Sequence, residues 1–207
     1  MYKKNFITFE GGEGSGKTSI INKLVPLLEE KGILCITSRE PGGVVIAEKI
    51  RDIILDPLNT KMCYETEALL FAASRMQHLK EKVIPALNDN KVVICDRYLD
   101  SSLVYQGICR GLGIEKVMEV NSFALDYLPQ LTFFIDVTPE VGLARLKGRS
   151  GKIDRLDQEK LDFHNKIYDG YVKLSKMYPD RIKRIDGNRD IDLIVKDIYN
   201  YIIEILG

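Results

Sequence analysis

The chain has 207 residues, and its 30 Lys and Arg balance its 30 Asp and Glu, so the formal net charge is zero. This length suits one α/β domain whose core needs no metal or disulfide to hold it. Balanced charge offers no broad basic face for nucleic acid, and no run approaches the roughly 18 apolar residues of a membrane span.

The first residues, Met1 to Phe9, lack the long apolar stretch of a secretory leader. Cys35, Cys63, Cys95 and Cys109 are widely spaced and form no CxxC pair, which suits free thiols acting as small hydrophobes. The expectation is a soluble, reduced, cytoplasmic protein.

Phe6 to Phe9 reads as a first strand. Gly11-Gly12-Glu13-Gly14-Ser15-Gly16-Lys17-Thr18 follows at once and matches G-x-x-x-x-G-K-[ST]. Glycines let the backbone curl so that successive N–H groups face phosphate oxygens, and the next helix adds its positive end. Lys17 then reaches the β and γ phosphates, and the Thr18 hydroxyl suits Mg²⁺. A fortuitous Gly-rich turn is the alternative, but strand, motif and helix agree. Ile20, Ile21, Leu24, Leu27 and Leu28 give that helix its apolar stripe.

Leu34 to Thr37 forms the second expected strand and leads into Arg39-Glu40-Pro41-Gly42-Gly43. A helix striped by Ile46, Ile50, Ile53 and Ile54 follows. In Phe71-Ala72-Ala73-Ser74-Arg75 the spacing of four puts Phe71 and Arg75 on one helix face. By the helix alone, a core ring and a surface cation is the simpler reading. A ring and guanidinium that stack on a base and read its edge is the other.

Val92 to Cys95 is an apolar strand ending in Asp96, as a metal-organising strand should. A carboxylate capping the next turn is the bland alternative. Asp96-Arg97-Tyr98 opens a stretch that runs through Ser102, Tyr105 and Gln106 to Gly107. Leu131 to Val137 and Arg181 to Ile185 are further strands, and the stripe from Ile191 to Ile205 marks a C-terminal helix. Pro26 and Pro85 fall inside helical patterns and predict kinks or ends.

Arg145 to Asp157 carries Arg145, Lys147, Arg149, Lys152 and Arg155 with little apolar content. A solvated loop is the plain reading. After a strand and helix in a phosphate-handling chain, a mobile cationic lid is favoured. Strand–helix alternation predicts a three-layer α/β P-loop fold, with a mainly parallel five-stranded sheet flanked by helices and a short lid at about 145–157. The whole of 1–207 is expected to be one P-loop domain.

Taken together, the lead into the P-loop, Arg39 to Gly43, Phe71 to Arg75, Asp96-Arg97-Tyr98 with Tyr105-Gln106-Gly107, and Arg155 to Glu159 resemble bacterial thymidylate kinases over nearly the whole chain. The resemblance implies ATP:dTMP phosphotransfer with Mg²⁺ and a homodimer. It implies that Phe71 stacks on thymine and Arg75 donates to its O4, while Ser102 and Gln106 read the N3 edge. Tyr105 resembles the gate that favours 2′-deoxyribose, and Glu13 the carboxylate facing the acceptor sugar. Arg51 and Arg97 resemble the arginines that hold the acceptor phosphate, with Arg39 close by. Glu40 and Asp96, with Thr18, are similar to the groups that organise Mg²⁺.

Eukaryotic members place an arginine inside the P-loop, where this chain has Gly14. The resemblance therefore assigns the catalytic charge to the lid, to Arg155 first and Arg149 second, beside Lys17 and Arg97. It also likens Asp186-Gly187-Asn188 to the loop near adenine. A kinase for another nucleoside monophosphate or a deoxynucleoside is the nearest rival. A nucleotide-dependent switch is the rival of a different class, but no guanine-reading Asn-Lys-x-Asp follows a strand here.

Overall fold

The computed structural model describes residues 5–147, 155–156 and 159–206. Its sheet consists of β1 (Phe6–Glu10), β2 (Cys35–Arg39), β3 (Val92–Asp96), β4 (Leu131–Asp136) and β5 (Ile182–Asp186). The order is β2-β3-β1-β4-β5, and every pairing is parallel. All five expected strands are present, displaced by at most a residue or two at their ends.

The helices are α1 (Lys17–Glu30), α2 (Val45–Leu55), α3 (Tyr64–His78), α4 (Ile84–Asn88), α5 (Leu99–Ser102), α6 (Ile114–Val120), α7 (Pro139–Leu146), α8 (Leu161–Met177) and α9 (Ile191–Leu206). Strand residues alternate between two cores, as the two-residue period of a strand requires. Ile7, Phe9, Phe133 and Ile135 pack with Leu24 of α1 and Ile198 of α9. Phe6 and Phe134 pack on the other side with Leu103, Ile167 and Tyr171. Helices on both faces cover a sheet whose central strands are buried along their length, the arrangement parallel pairing demands. Phe133 is fully buried, and truncating such a ring to Ala costs about 3–5 kcal/mol.

Neither proline behaves as a stop. Pro26 lies within α1, which continues to Glu30. Pro85 sits in the first turn of α4, where its missing N–H is least needed, directly after a wide turn at Leu79–Val83. A second wide turn, Leu103–Cys109, follows α5 and carries Tyr105 and Gln106. Such turns redirect side chains without breaking a helix.

Parallel register brings the carboxyl ends of three strands together: Phe9 and Arg39 both lie opposite Asp96. In an open α/β sheet this edge is where ligands sit.

Candidate active site

The P-loop runs from the end of β1 into α1 and forms a cleft with Asp96 and Arg97. Lys17 is buried, and its Nζ donates to the carbonyls of Gly11 at 3.2 Å and Gly12 at 3.1 Å and to Ser15 Oγ at 3.2 Å. Burial and then the nearby Arg97 push its pKa below the usual lysine value. The Thr18 hydroxyl donates to Asp96 Oδ2 at 2.7 Å, so the two oxygens stand side by side in this cleft. Among the described residues no group of three or more His, Cys, Asp or Glu side chains forms a metal cage. Two oxygen donors suit Mg²⁺, which keeps most of its waters and leans on substrate phosphates.

Gly14 has a φ of +68°, and a Cβ there would lie 2.1 Å from the Gly142 carbonyl oxygen. A P-loop arginine at this place is thus excluded twice, by the backbone conformation and by α7 packed directly on it.

A second cleft adjoins the first. Its lining includes Glu40, Arg51, Phe71, Tyr105 and Gln106, and Glu13 and Arg97 line both clefts. Arg97 itself has φ +67°, a conformation rare for a side-chain-bearing residue. Its Nη1 donates to Gly11 O at 2.9 Å and Tyr171 OH at 3.1 Å, and its Nη2 pairs with Glu13. Burial raises the Glu13 carboxyl, but Arg97, Lys17 and the Tyr105 hydroxyl, which donates at 3.2 Å, outweigh it and hold the pKa below the ordinary carboxylate value.

Behind Arg97 stands Glu10, part of the Phe9-Glu10-Gly11 lead into the P-loop, for which the sequence suggests no role. Glu10 accepts from the Tyr98 N–H at 2.7 Å, the Ser101 hydroxyl at 2.6 Å and the Tyr171 hydroxyl at 2.9 Å. Burial, reinforced by the neighbouring Asp100 carboxylate, pushes its pKa up to about 7. Its signal was a carboxylate ending an otherwise apolar strand.

Some expected residues stand behind the cleft. Arg75 is almost fully buried; it donates from Nε to Glu40 Oε2 at 2.8 Å, from Nη1 to Asn121 Oδ1 at 2.5 Å, and from Nη2 to Ser102 Oγ at 3.0 Å. Neither Arg75 nor Ser102 lines the cleft, whereas Ser101 does. The reason is that a buried guanidinium needs several acceptors. Glu40 lines the second cleft, with its other oxygen 2.9 Å from His78 Nδ1, and does not line the Thr18–Asp96 cleft. Arg39 lines neither cleft and donates to Glu48 at 2.9 Å. Arg51 lines the cleft and donates to Pro41 O at 2.8 Å.

Arg155 is held away from the P-loop. Its Nη2 donates to Glu67 Oε2 at 2.7 Å and its Nε to Ile54 O at 2.8 Å. Glu67 is fully buried and requires counter-charges, which Arg155 and Arg110 supply. Arg149 lies outside the described residues. Arg145 donates to Gly187 O at 3.1 Å, joining α7 to the loop after β5.

Comparison with known proteins agrees over nearly the full length. A family model described as thymidylate kinase matches residues 9–198. The thymidylate kinase of Clostridium novyi (strain NT) is 52% identical over 204 residues, covering 98% of this chain and 100% of that relative. That of Acholeplasma laidlawii (strain PG-8A) is 54% identical over 200 residues, covering 96% and 98%. The crystal structure of thymidylate kinase from Ehrlichia chaffeensis superposes with a TM-score of 0.74 at 29% identity, covering 95% of this chain and 96% of that one.

Proposed function

This chain belongs to the thymidylate kinase family, and on that footing we propose that it moves the γ-phosphoryl group of ATP onto dTMP, giving dTDP and ADP. The observation that carries the chemistry is the meeting of a phosphate cradle and a ring-walled cleft at Glu13 and Arg97, which line both. An acceptor phosphate in the second cleft then faces a donor phosphate in the first, the in-line arrangement phosphoryl transfer needs.

An oxygen of the dTMP phosphate attacks the γ-phosphorus as the bond to the β–γ bridging oxygen breaks, and ADP leaves. The acceptor oxygen is already ionised near neutral pH, so no strong base is required. Lys17 and Arg97 neutralise charge on the transferring group. Mg²⁺, when held through Thr18 and Asp96, supplies further neutralisation of the ATP phosphates. Arg51 and Arg97 hold the acceptor phosphate, Phe71 stacks on the base, and Tyr105, tied to Glu13, closes the sugar side. Gln106 donates its Nε2 to Glu67 at 2.9 Å, and its buried Oε1 has no partner among the described residues. That oxygen accepts the N3–H of thymine.

The lid expected at about 145–157 falls largely outside the described residues; its part in this reading is to exclude water from the donor side of a single domain. We place the enzyme in the cytoplasm, where both nucleotides are found; among the described residues no helix is long and apolar enough to cross a membrane. The active species is a homodimer: α2 and α3 leave Ile46, Ile53 and Leu69 exposed, and Phe123 beyond α6 is 76% exposed, an apolar surface suited to a second copy.

The test is a coupled assay with ATP and Mg²⁺ across dTMP, dUMP, dCMP, dGMP and thymidine. The highest kcat/KM is expected for dTMP. ATP and dTMP both bound, with no ADP released, would falsify the assignment. A single mass equal to one chain in light scattering would remove the dimer.

A further inference from the structure

Four nitrogen donors from three side chains converge at the buried end of the acceptor cleft, and one carboxylate takes them all. Glu67, on the turn of α3 before Phe71, is fully buried. Its Oε1 accepts from Gln106 Nε2 at 2.9 Å and Arg110 Nε at 3.4 Å. Its Oε2 accepts from Arg155 Nη2 at 2.7 Å and Arg110 Nη2 at 3.4 Å. Arg110 is in turn paired with Glu159 at 2.6 Å.

A side-chain amide is nearly symmetric in shape, and only its partners decide which end is oxygen and which is nitrogen. An ionised carboxylate accepts and never donates, so it admits only the Gln106 NH₂ end. The Gln106 bond, together with the ion pairs to Arg110 and Arg155, outweighs burial and holds Glu67 in that ionised form. Among the described residues the opposite end of the amide, Oε1, has no hydrogen-bond partner, in a residue 1% exposed that lines the cleft.

We propose that Glu67 is the specificity-determining positioning residue of this enzyme: by fixing the flip of the Gln106 amide it presents an acceptor to the base, and so selects pyrimidines with an N3–H over cytosine, whose N3 is itself an acceptor. Glu67 touches no substrate and acts through Gln106. Arg155 and Arg110 serve this device by keeping the carboxylate charged, which gives a role to the cation that the P-loop does not receive. The inference rests on the dTMP reading above.

The experiment compares kcat/KM for dTMP and dCMP in wild type, in Glu67→Gln and in the exchange variant that combines Glu67→Gln with Gln106→Glu. A neutral amide at position 67 lets the Gln106 amide turn, so the dTMP/dCMP ratio should fall by about tenfold or more, as for one mismatched polar pair. In the exchange variant, the carboxylate introduced at position 106 again offers only acceptors to the base, while the amide at position 67 donates to it. The ratio should then recover. A purely structural Glu67 lowers both substrates in proportion and leaves the ratio unchanged, which overturns the proposal. If Glu67→Gln alone does not fold, the exchange variant decides, since loss of dTMP preference there is equally fatal. Wild-type enzyme without dTMP preference would instead strike the thymidylate reading itself.

Discussion

Gly14 of the P-loop and Gly142 of α7 meet backbone to backbone. A Cβ on Gly14 would lie 2.1 Å from the Gly142 carbonyl oxygen, and one on Gly142 would lie 2.2 Å from the Glu13 carbonyl oxygen. Neither contact can be relieved by rotating a side chain, because backbone faces backbone. The P-loop and α7 are therefore one mechanical unit.

Gly142→Ala must then displace either α7 or the loop. We expect kcat to fall at least about tenfold, since a misplacement of roughly 1 Å at reacting groups can cost a hundredfold. Steady-state kinetics beside a thermal melt makes the check: a folded variant with unchanged kcat and unchanged ATP KM would show that α7 simply yields.

Lys17 has its ammonium surrounded by the P-loop carbonyls of Gly11 and Gly12, poised where phosphate oxygens would enter. Lys17→Ala should abolish transfer almost completely, by about 10³-fold or more in kcat, in line with loss of a principal charge on the transferring group. Binding of dTMP, followed by calorimetry, should stay within a few fold. Full turnover in the variant would break the cradle assignment.

Phe71 is buried yet lines the same cleft as Glu40 and Gln106. Stacking of a base on a ring is worth about 1–3 kcal/mol. Phe71→Ala should raise the KM for dTMP by about 5- to 100-fold and leave that for ATP within about twofold. An equal rise in both would return the ring to a packing role.

Arg155 engages Glu67, which holds the cleft residue Gln106. Arg155→Ala should chiefly raise the KM for dTMP, by several fold, because an ion-pair partner of a buried carboxylate is lost. The competing outcome is a drop in kcat of about 10³-fold at constant KM, the mark of an arginine acting on the transferring phosphoryl. That result would assign the side chain to transfer and require it to leave Glu67 during turnover.

Glu10 carries a pH signature. The folded protein holds its proton up to about 7, while the unfolded chain releases it near the ordinary 4.5. Between those values the folded state binds more protons, so stability from this group is present below pH 4.5 and is lost as pH rises through 7. The gap corresponds to on the order of 3 kcal/mol. Urea midpoints should fall from about pH 5 to about pH 8 in the wild type, and Glu10→Gln should flatten that decline. An identical slope in both proteins would exclude Glu10 as its source.

Local sequence determined the sheet strands, the phosphate loop and the strand-end position of Asp96. Each is set by residues adjacent in the chain, through apolar periodicity, glycine conformation and the helix start at Lys17. Phe71 and Arg75 were readable as one helix face, and Glu67, one turn earlier on the same face, offered the same signal as a charge on a buried stripe. Tertiary structure alone decided where the charges went. Arg155 stands 88 residues from Glu67, and Tyr171 stands 161 from Glu10; no local pattern encodes such a pairing. A buried carboxylate recruits whatever donors the fold brings within reach, because leaving it unpaired costs more than any surface contact those donors would make instead.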